Sequence, residues 1–259
     1  MLKVISFNKT KGGAGASTSA HLLANGFGLL DVDCWLFSTD QTREGESLVP
    51  PNASEGRPYA WLDGRDPKVL GPAIRRLASR PGVVIVDGAA NRADIDSLIV
   101  PRADLVIVPT MHSEGDFRQL KADLSYLTNP AKIERVGDLA IQRSAWPSGV
   151  SEDAATAELQ AYIPADLHGA LLPPIPFRSA ARRLDREAVP IDYRLSKLCQ
   201  EQARAVIAFA RWNLLALKSP SSAQPAKVDP KPKAKAKTSA LVQADGRDEN
   251  GYMNIPLPM

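Results

Sequence analysis

The chain has 259 residues, enough for one α/β domain with a sizeable core, or for one domain and a tail. Its hydrophobic share of 44% and charged share of 24% are those of an ordinary soluble protein, and a net charge of +3 does not by itself argue for nucleic acid. Cys34 and Cys199 stand far apart without metal-ligand spacing, the apolar run Val4–Phe7 is too short for a signal segment, and no stretch reaches the length of a membrane span. These features predict a cytoplasmic protein.

Short apolar, β-branched runs alternate with helical patterns. Leu2–Phe7 reads as a first strand, followed by a glycine-rich turn and a helix from about Ser17 to Asn25. Leu29–Asp33 reads as a second strand, and residues 36–66, rich in Gly, Pro and Ser, as loop. Pro67–Ser79 looks helical, with Gly71-Pro72 set to kink or delay it. Val83–Asp87 and Asp104–Val108 are near-continuous apolar runs that suit strands buried on both faces of a parallel sheet.

Gly115–Leu127 predicts a helix, Asp138–Gln142 a strand, Ser151–Tyr162 a helix and Leu171–Ile175 a short strand closed by prolines. Helices follow from about Ser179 to Ala188 and from Arg194 to Leu217. The alternation predicts an α/β fold over residues 1–217, a doubly wound, mostly parallel sheet with helices on both faces. From Lys218 to residue 259 the chain is rich in Pro, Lys and Ala without an apolar period, and is expected to be a disordered tail.

The most informative stretch runs from Ile5 to Thr18, a strand that enters a glycine-rich turn and opens a helix. Glycines let backbone N–H groups turn toward phosphates, and a helix N-terminus adds partial positive charge. Ser17 sits where a hydroxyl would ligate Mg²⁺, and Thr18 where one could reach an α-phosphate. The general phosphate-loop pattern fails at Thr10, which takes the place of its first Gly, and at Ala16, which takes the place of its Lys.

Lys11, Gly12, Gly13, Ala14, Gly15, Ser17 and Thr18 resemble the deviant loop of the ParA/MinD-type P-loop ATPases, Lys-Gly-Gly-x-Gly-Lys-Ser/Thr-Thr, with Ala16 in place of its second lysine. The resemblance implies a loop at residues 10–18 that cradles ATP-Mg²⁺, with Lys11 reaching across an ATP-sandwiched homodimer. Ala16 lacks the ammonium that touches the β- and γ-phosphates, so binding should weaken and hydrolysis should suffer more.

Leu29-Leu30-Asp31-Val32-Asp33 resembles the family's second motif, although Cys34-Trp35 replaces the usual Pro-Gln. By that resemblance Asp33 would position or activate the attacking water. Only twelve residues separate Thr18 from Asp31, about seven fewer than the family pattern, so the first helix should be short. Val83–Asp87 resembles the Walker B strand, with Asp87 holding the Mg²⁺ shell through water and Gly88-Ala89-Ala90 resembling the second switch. Pro109 ends a strand close to the nucleotide in the family pattern, and Pro176 lies in the segment that borders the base.

Basic residues gather late in the folded part, among them Arg178, Arg182, Arg183, Arg186 and Arg204. ParA-like proteins bind DNA without sequence preference through such a surface. The same resemblance implies a DNA-bound partner that stimulates turnover and a place on the nucleoid. The alternative is a solvated helix face with scattered salt bridges. The tail has no apolar stripe, which disfavours membrane docking. His21, His112 and His168 show no ligand spacing.

The expected function is therefore a ParA-like partitioning ATPase. A degenerate family member that binds nucleotide without hydrolysis, as an adaptor, is the alternative that Ala16 favours. An amidoligase or reductase on the related fold would need an added domain or cluster cysteines.

Overall fold

The computed structural model describes residues 1–10, 12–40, 49–90, 92–129, 137–147, 149–178, 181–184 and 192–219. Six strands, β1 (Leu2–Phe7), β2 (Cys34–Ser38), β3 (Ala60–Asp63), β4 (Gly82–Asp87), β5 (Leu105–Thr110) and β6 (Asp138–Arg143), form one sheet. Every pairing is parallel, and the order is β3-β2-β4-β1-β5-β6. The predicted doubly wound sheet is present. β1 lies between β4 and β5, and a ligand crevice in such a sheet opens beyond the carboxyl ends of the strands at this kind of switch point.

Side-chain alternation sorts the core into two layers. Ile5, Phe7, Val83, Ile85, Leu105 and Ile107 pack toward the helices α1 (Ala16–Leu29) and α6 (Tyr193–Phe209). Val4, Val84, Val86, Val106 and Val108 pack on the other face, with residues of α2 (Pro67–Leu77), α3 (Ala93–Ile99), α4 (Glu114–Leu127) and α5 (Glu152–Gln160). Both faces of the central strands are buried, which is why they read as unbroken apolar runs.

The helix starts follow local chemistry. The side chains of Asp66, Ser113, Ser151 and Asp192 each accept a backbone N–H bond at the start of α2, α4, α5 and α6. Pro67 occupies the first turn of α2, and Pro72 is accommodated inside it.

Four expectations are corrected. First, Leu29 ends α1 instead of opening a strand. The Leu30 N–H closes the helix onto Gly26 and Phe27 carbonyls, and Asp31 turns the chain at φ 57°. The strand therefore begins at Cys34, and α1 is 14 residues long, not short. Gly26 sits inside this helix because a Cβ there would lie 2.1 Å from the Cys199 carbonyl oxygen, so it permits the close approach of α1 and α6.

Second, residues 36–66 are not all loop, since they hold most of β2 and all of β3. Third, Leu171–Ile175 is no strand; the segment touches the sheet through isolated bridges at Leu171 and Pro176. Fourth, the final helix breaks at Ala210–Asn213, where Arg211 takes φ 53°, before the short helix α7 (Leu214–Leu217).

The helix expected from Ser179 to Ala188 falls largely outside the described residues, which show one 3₁₀ turn at Ala181–Arg183. Of the tail, residues 220–259 also lie outside them. No helix of the described residues is long and apolar enough to cross a membrane.

Cys34 and Cys199 are free thiols, 4% and 0% exposed, and burial raises both, Cys199 to about 12.

Candidate functional site: a cleft over the glycine-rich loop

Chain direction places the loop. β1 ends at Phe7, level with Asp87 of β4, which is level in turn with Ser38 of β2, so residues 8–15 leave the C-terminal edge of the sheet. Gly13 and Gly15 take φ 87° and 82°, a conformation that L side chains rarely adopt. Gly15 then N-caps α1, and no side chain accepts from the first-turn N–H groups. In a helix of 14 residues, these donors and the helix dipole favour an anion at this end. A Cβ on Gly15 would also stand 2.7 Å from the Ser144 Cβ, so only glycine fits there.

A cleft of about 310 Å³ opens here. One wall is Lys9, Gly13, Gly15 and the start of α1 from Ala16 to Ser19; the other is Ile175, Pro176, Phe177 and Arg178. Met111, Ser144 and Ala145, which follow β5 and β6, complete it. Ser19 and Ser144 tie the loop to the end of β6 through a 2.9 Å hydroxyl pair.

Beneath the loop lies a polar layer. Asp87 is 3% exposed at the tip of β4. Its carbonyl accepts from the Thr39 hydroxyl at 2.9 Å, and that hydroxyl accepts from the Ala89 N–H at 2.8 Å. Arg92 donates to the Thr39 and Arg65 carbonyls and pairs with Asp94, and the nearby Asp40 charge contributes to raising its pKa. Thr10 bonds Asp123 and accepts from Gln119.

Burial raises the Asp96 carboxyl from 3.8 to about 7. Asp94 and Asp123 add to that rise, while the Asn8 amide and Arg92 oppose it. On the far side of α1, burial and then the Arg57 charge lower His21 to about 3. His21 pairs with the Tyr59 hydroxyl at 2.6 Å, and Arg57 joins that hydroxyl to the Leu184 carbonyl.

No protein-family model matches the sequence, and no curated protein matches it. Solved structures do match. A MinD from a MinC:MinD cell division complex of Aquifex aeolicus is 13% identical, with a TM-score of 0.60 over 80% of this chain and 96% of that one. A ParA family ATPase from Chlorobium tepidum is 15% identical, with a TM-score of 0.58 over 78% and 98%. The apo McdA of Cyanothece is 14% identical, with a TM-score of 0.57 over 82% and 98%. The chain has the ParA/MinD ATPase fold.

Within that ParA/MinD fold the sequence-predicted residues separate. Gly12, Gly13, Ala14 and Gly15 form the turn, and Gly13, Gly15, Ala16, Ser17, Thr18 and Pro176 line the cleft. Ala16 is 1% exposed. Asp87 stands at the loop's edge of the sheet, and Pro109 is inside β5, where the following Met111 reaches the cleft instead. Lys11 and Arg186 lie outside the described residues.

Asp33 is not brought to the loop. It precedes β2, its carbonyl accepts from Val83 at the start of β4, and its carboxylate accepts from the Ser219 hydroxyl at 2.6 Å. That is the opposite edge of the sheet, a strand length or about 16 Å away. Arg178, expected on a DNA surface, lines the cleft. Arg183 and Arg204 are exposed. Arg182 falls in the 3₁₀ turn.

The carboxylate missed in the sequence is Asp40, two residues beyond the end of β2 on the loop's edge. Placing the second motif at Ser38-Thr39-Asp40, seven residues after Asp31-Val32-Asp33, removes the seven-residue shortfall between Thr18 and that motif.

Proposed function

We propose that this chain is a ParA-like ATPase that binds ATP-Mg²⁺ in the cleft, dimerises on nucleotide and binds DNA without sequence preference in partitioning or maintenance. The observation that carries this reading is the uncapped N-terminus of α1 beside two left-handed glycines, opening on a cleft of about 310 Å³. Solved neighbours of the same fold include a MinD complexed with Mg-ADP and a plasmid partition protein bound to AMPPNP.

Loop N–H groups, with Ser17 and Thr18, would hold the phosphates, and Pro176 and Phe177 would border the base. Ser17 and Asp87 would hold Mg²⁺, which with the nucleotide supplies charge neutralisation of the triphosphate. Among the described residues no three His, Cys, Asp or Glu side chains form a metal cluster. An ion that shares its shell between phosphates, water and one or two protein groups does not need one. Asp40 takes the water-positioning part in this proposal, because it stands on the loop's edge and Asp33 does not. Lys11 is assigned to the partner's phosphates across the dimer. Residues 1–217 form the nucleotide-binding unit.

A second reading has its own observation. Ala16 is a buried methyl where a lysine would contact the phosphates, and a chain so built would bind nucleotide as a switch and hydrolyse it slowly or not at all.

Turnover and light scattering with and without Mg-ATP and DNA test both readings. The expected outcome is an ATP-dependent dimer with slow hydrolysis, raised at least about tenfold by Ala16→Lys, equivalent to about 1.4 kcal/mol of barrier. An ATP-bound monomer without affinity for DNA would sink the partitioning role. Turnover already equal to that of the Lys variant would sink the account of Ala16.

A further inference from the structure

Losing the loop lysine leaves an electrostatic gap. A triphosphate brings several negative charges into a cleft whose helix N-terminus supplies only partial positive charge. Among the described residues, the cations that line the cleft are Lys9 and Arg178. They differ in setting: Arg178 is exposed on the wall opposite α1, whereas Lys9 is 8% exposed, on the loop itself and two residues past the end of the central strand.

The Lys9 ammonium makes no hydrogen bond or ion pair with any described residue. The side chain is 8% exposed as a whole, and its ammonium is not sealed off from the cleft that it lines. In the polar layer beneath the loop, Asp123 bonds Thr10 and Gln119, and Asp94 pairs with Arg92. A cation that lines an anion-favouring cleft and forms no ion pair with a described residue is available to a ligand's charge.

We infer that Lys9 is the phosphate-binding cation of this cleft, supplying from the start of the loop the charge that Ala16 cannot supply from its end. Arg178 closes on the same phosphates from the mouth. The inference rests on the reading that the cleft takes a nucleoside triphosphate, and it adds a binding residue that lies outside the loop positions matched in the sequence. It also carries a stability signature. The ammonium holds no described residue in place, so a neutral side chain at that position should hold the empty fold at least as well.

The test is calorimetric titration of Mg-ATP into the full chain, into Lys9→Gln, and into Lys9→Gln combined with Ala16→Lys, with thermal melting of each in the absence of nucleotide. The expected result is binding by the parent, at least about tenfold weaker binding by Lys9→Gln, and recovery of most of the loss in the combined variant. The melting temperature of Lys9→Gln should equal or exceed that of the parent. If the parent binds and Lys9→Gln binds equally well, this inference falls and the nucleotide reading stands. If Lys9→Gln binds weakly but also melts lower, with no recovery from Ala16→Lys, Lys9 shapes the loop and the inference falls. A parent that does not bind Mg-ATP overturns both readings.

Discussion

Two aspartates that look alike in the sequence end up at opposite edges of the sheet. Asp87 closes the apolar run Val83–Val86, and Asp33 closes Leu29-Leu30-Asp31-Val32. In the first case the run is a strand, so its last residue sits on the edge where the chain turns over the loop. In the second, the leucines belong to the end of a helix, and Asp33 stands before a strand instead of after one. In a parallel sheet every strand points the same way, so a carboxylate just after a strand reaches the loop's edge and one just before a strand is held at the opposite edge. An apolar run ending in Asp therefore counts as a site signal only once its own secondary structure is known.

That contrast can be broken most directly by paired substitutions. Asp87→Asn is expected to weaken Mg-dependent ATP binding by about a hundredfold, on the order of 2.7 kcal/mol, while Asp33→Asn stays within about twofold. Titrations in Mg²⁺ and in EDTA would read the difference, and equal losses would erase the distinction between the two edges.

A smaller contrast is in ionisation. Asp96, at the loop's edge, has a folded-state pKa raised from 3.8 to about 7, whereas Asp31 at the other edge is 90% exposed at its side chain. Between these two pH values the folded state holds a proton that the unfolded chain has released, so this group's contribution to stability falls as pH rises through about 7. Asp96→Asn should therefore stabilise the protein at pH 8 by on the order of 2 kcal/mol, with little gain at pH 4. Denaturant melts at both pH values check this. A gain of equal size at both would show that packing, not charge, sets the cost.

The smallest effect should come from the far edge itself. Lys218 lies 3.6 Å from Asp31, and Ser219 bonds Asp33. Exposed pairs of this kind contribute little, so Asp31→Ala and Asp33→Ala should each cost less than about 1 kcal/mol in urea melts. A larger loss would make that edge a structural anchor.

The sequence disclosed what was local. β1, β4 and β5 were legible because burial on both faces writes a near-continuous apolar run, and β6 through the short apolar core Leu139–Ile141. The loop was legible because left-handed turns need glycine at fixed spacing, which Gly13 and Gly15 provide. What escaped depended on distant contacts. The helix read as ending near Asn25 runs on through Gly26 and Gly28, whose missing side chains allow close packing on Cys199 and Pro58. The short strands Cys34–Ser38 and Ala60–Asp63 sat in a stretch whose Gly, Pro and Ser content outweighed them. The cleft's other walls, at Met111, Ser144 and Arg178, come from separate parts of the chain that meet only through the sheet. The burial of Lys9 was invisible for the same reason.

The two sealed thiols have a practical consequence. Cys34 and Cys199 are buried, and burial holds both in the protonated, unreactive form. The folded chain should therefore take up almost no thiol-directed label, and uptake at either site would time an opening of the structure. Cys199 is especially useful, because its carbonyl touches α1 at Gly26. Its labelling rate would report when α6 parts from α1, the helix whose first turn faces the cleft. Slower labelling with a ligand present would register occupancy in a chain with no catalytic turnover, without any dye on the ligand.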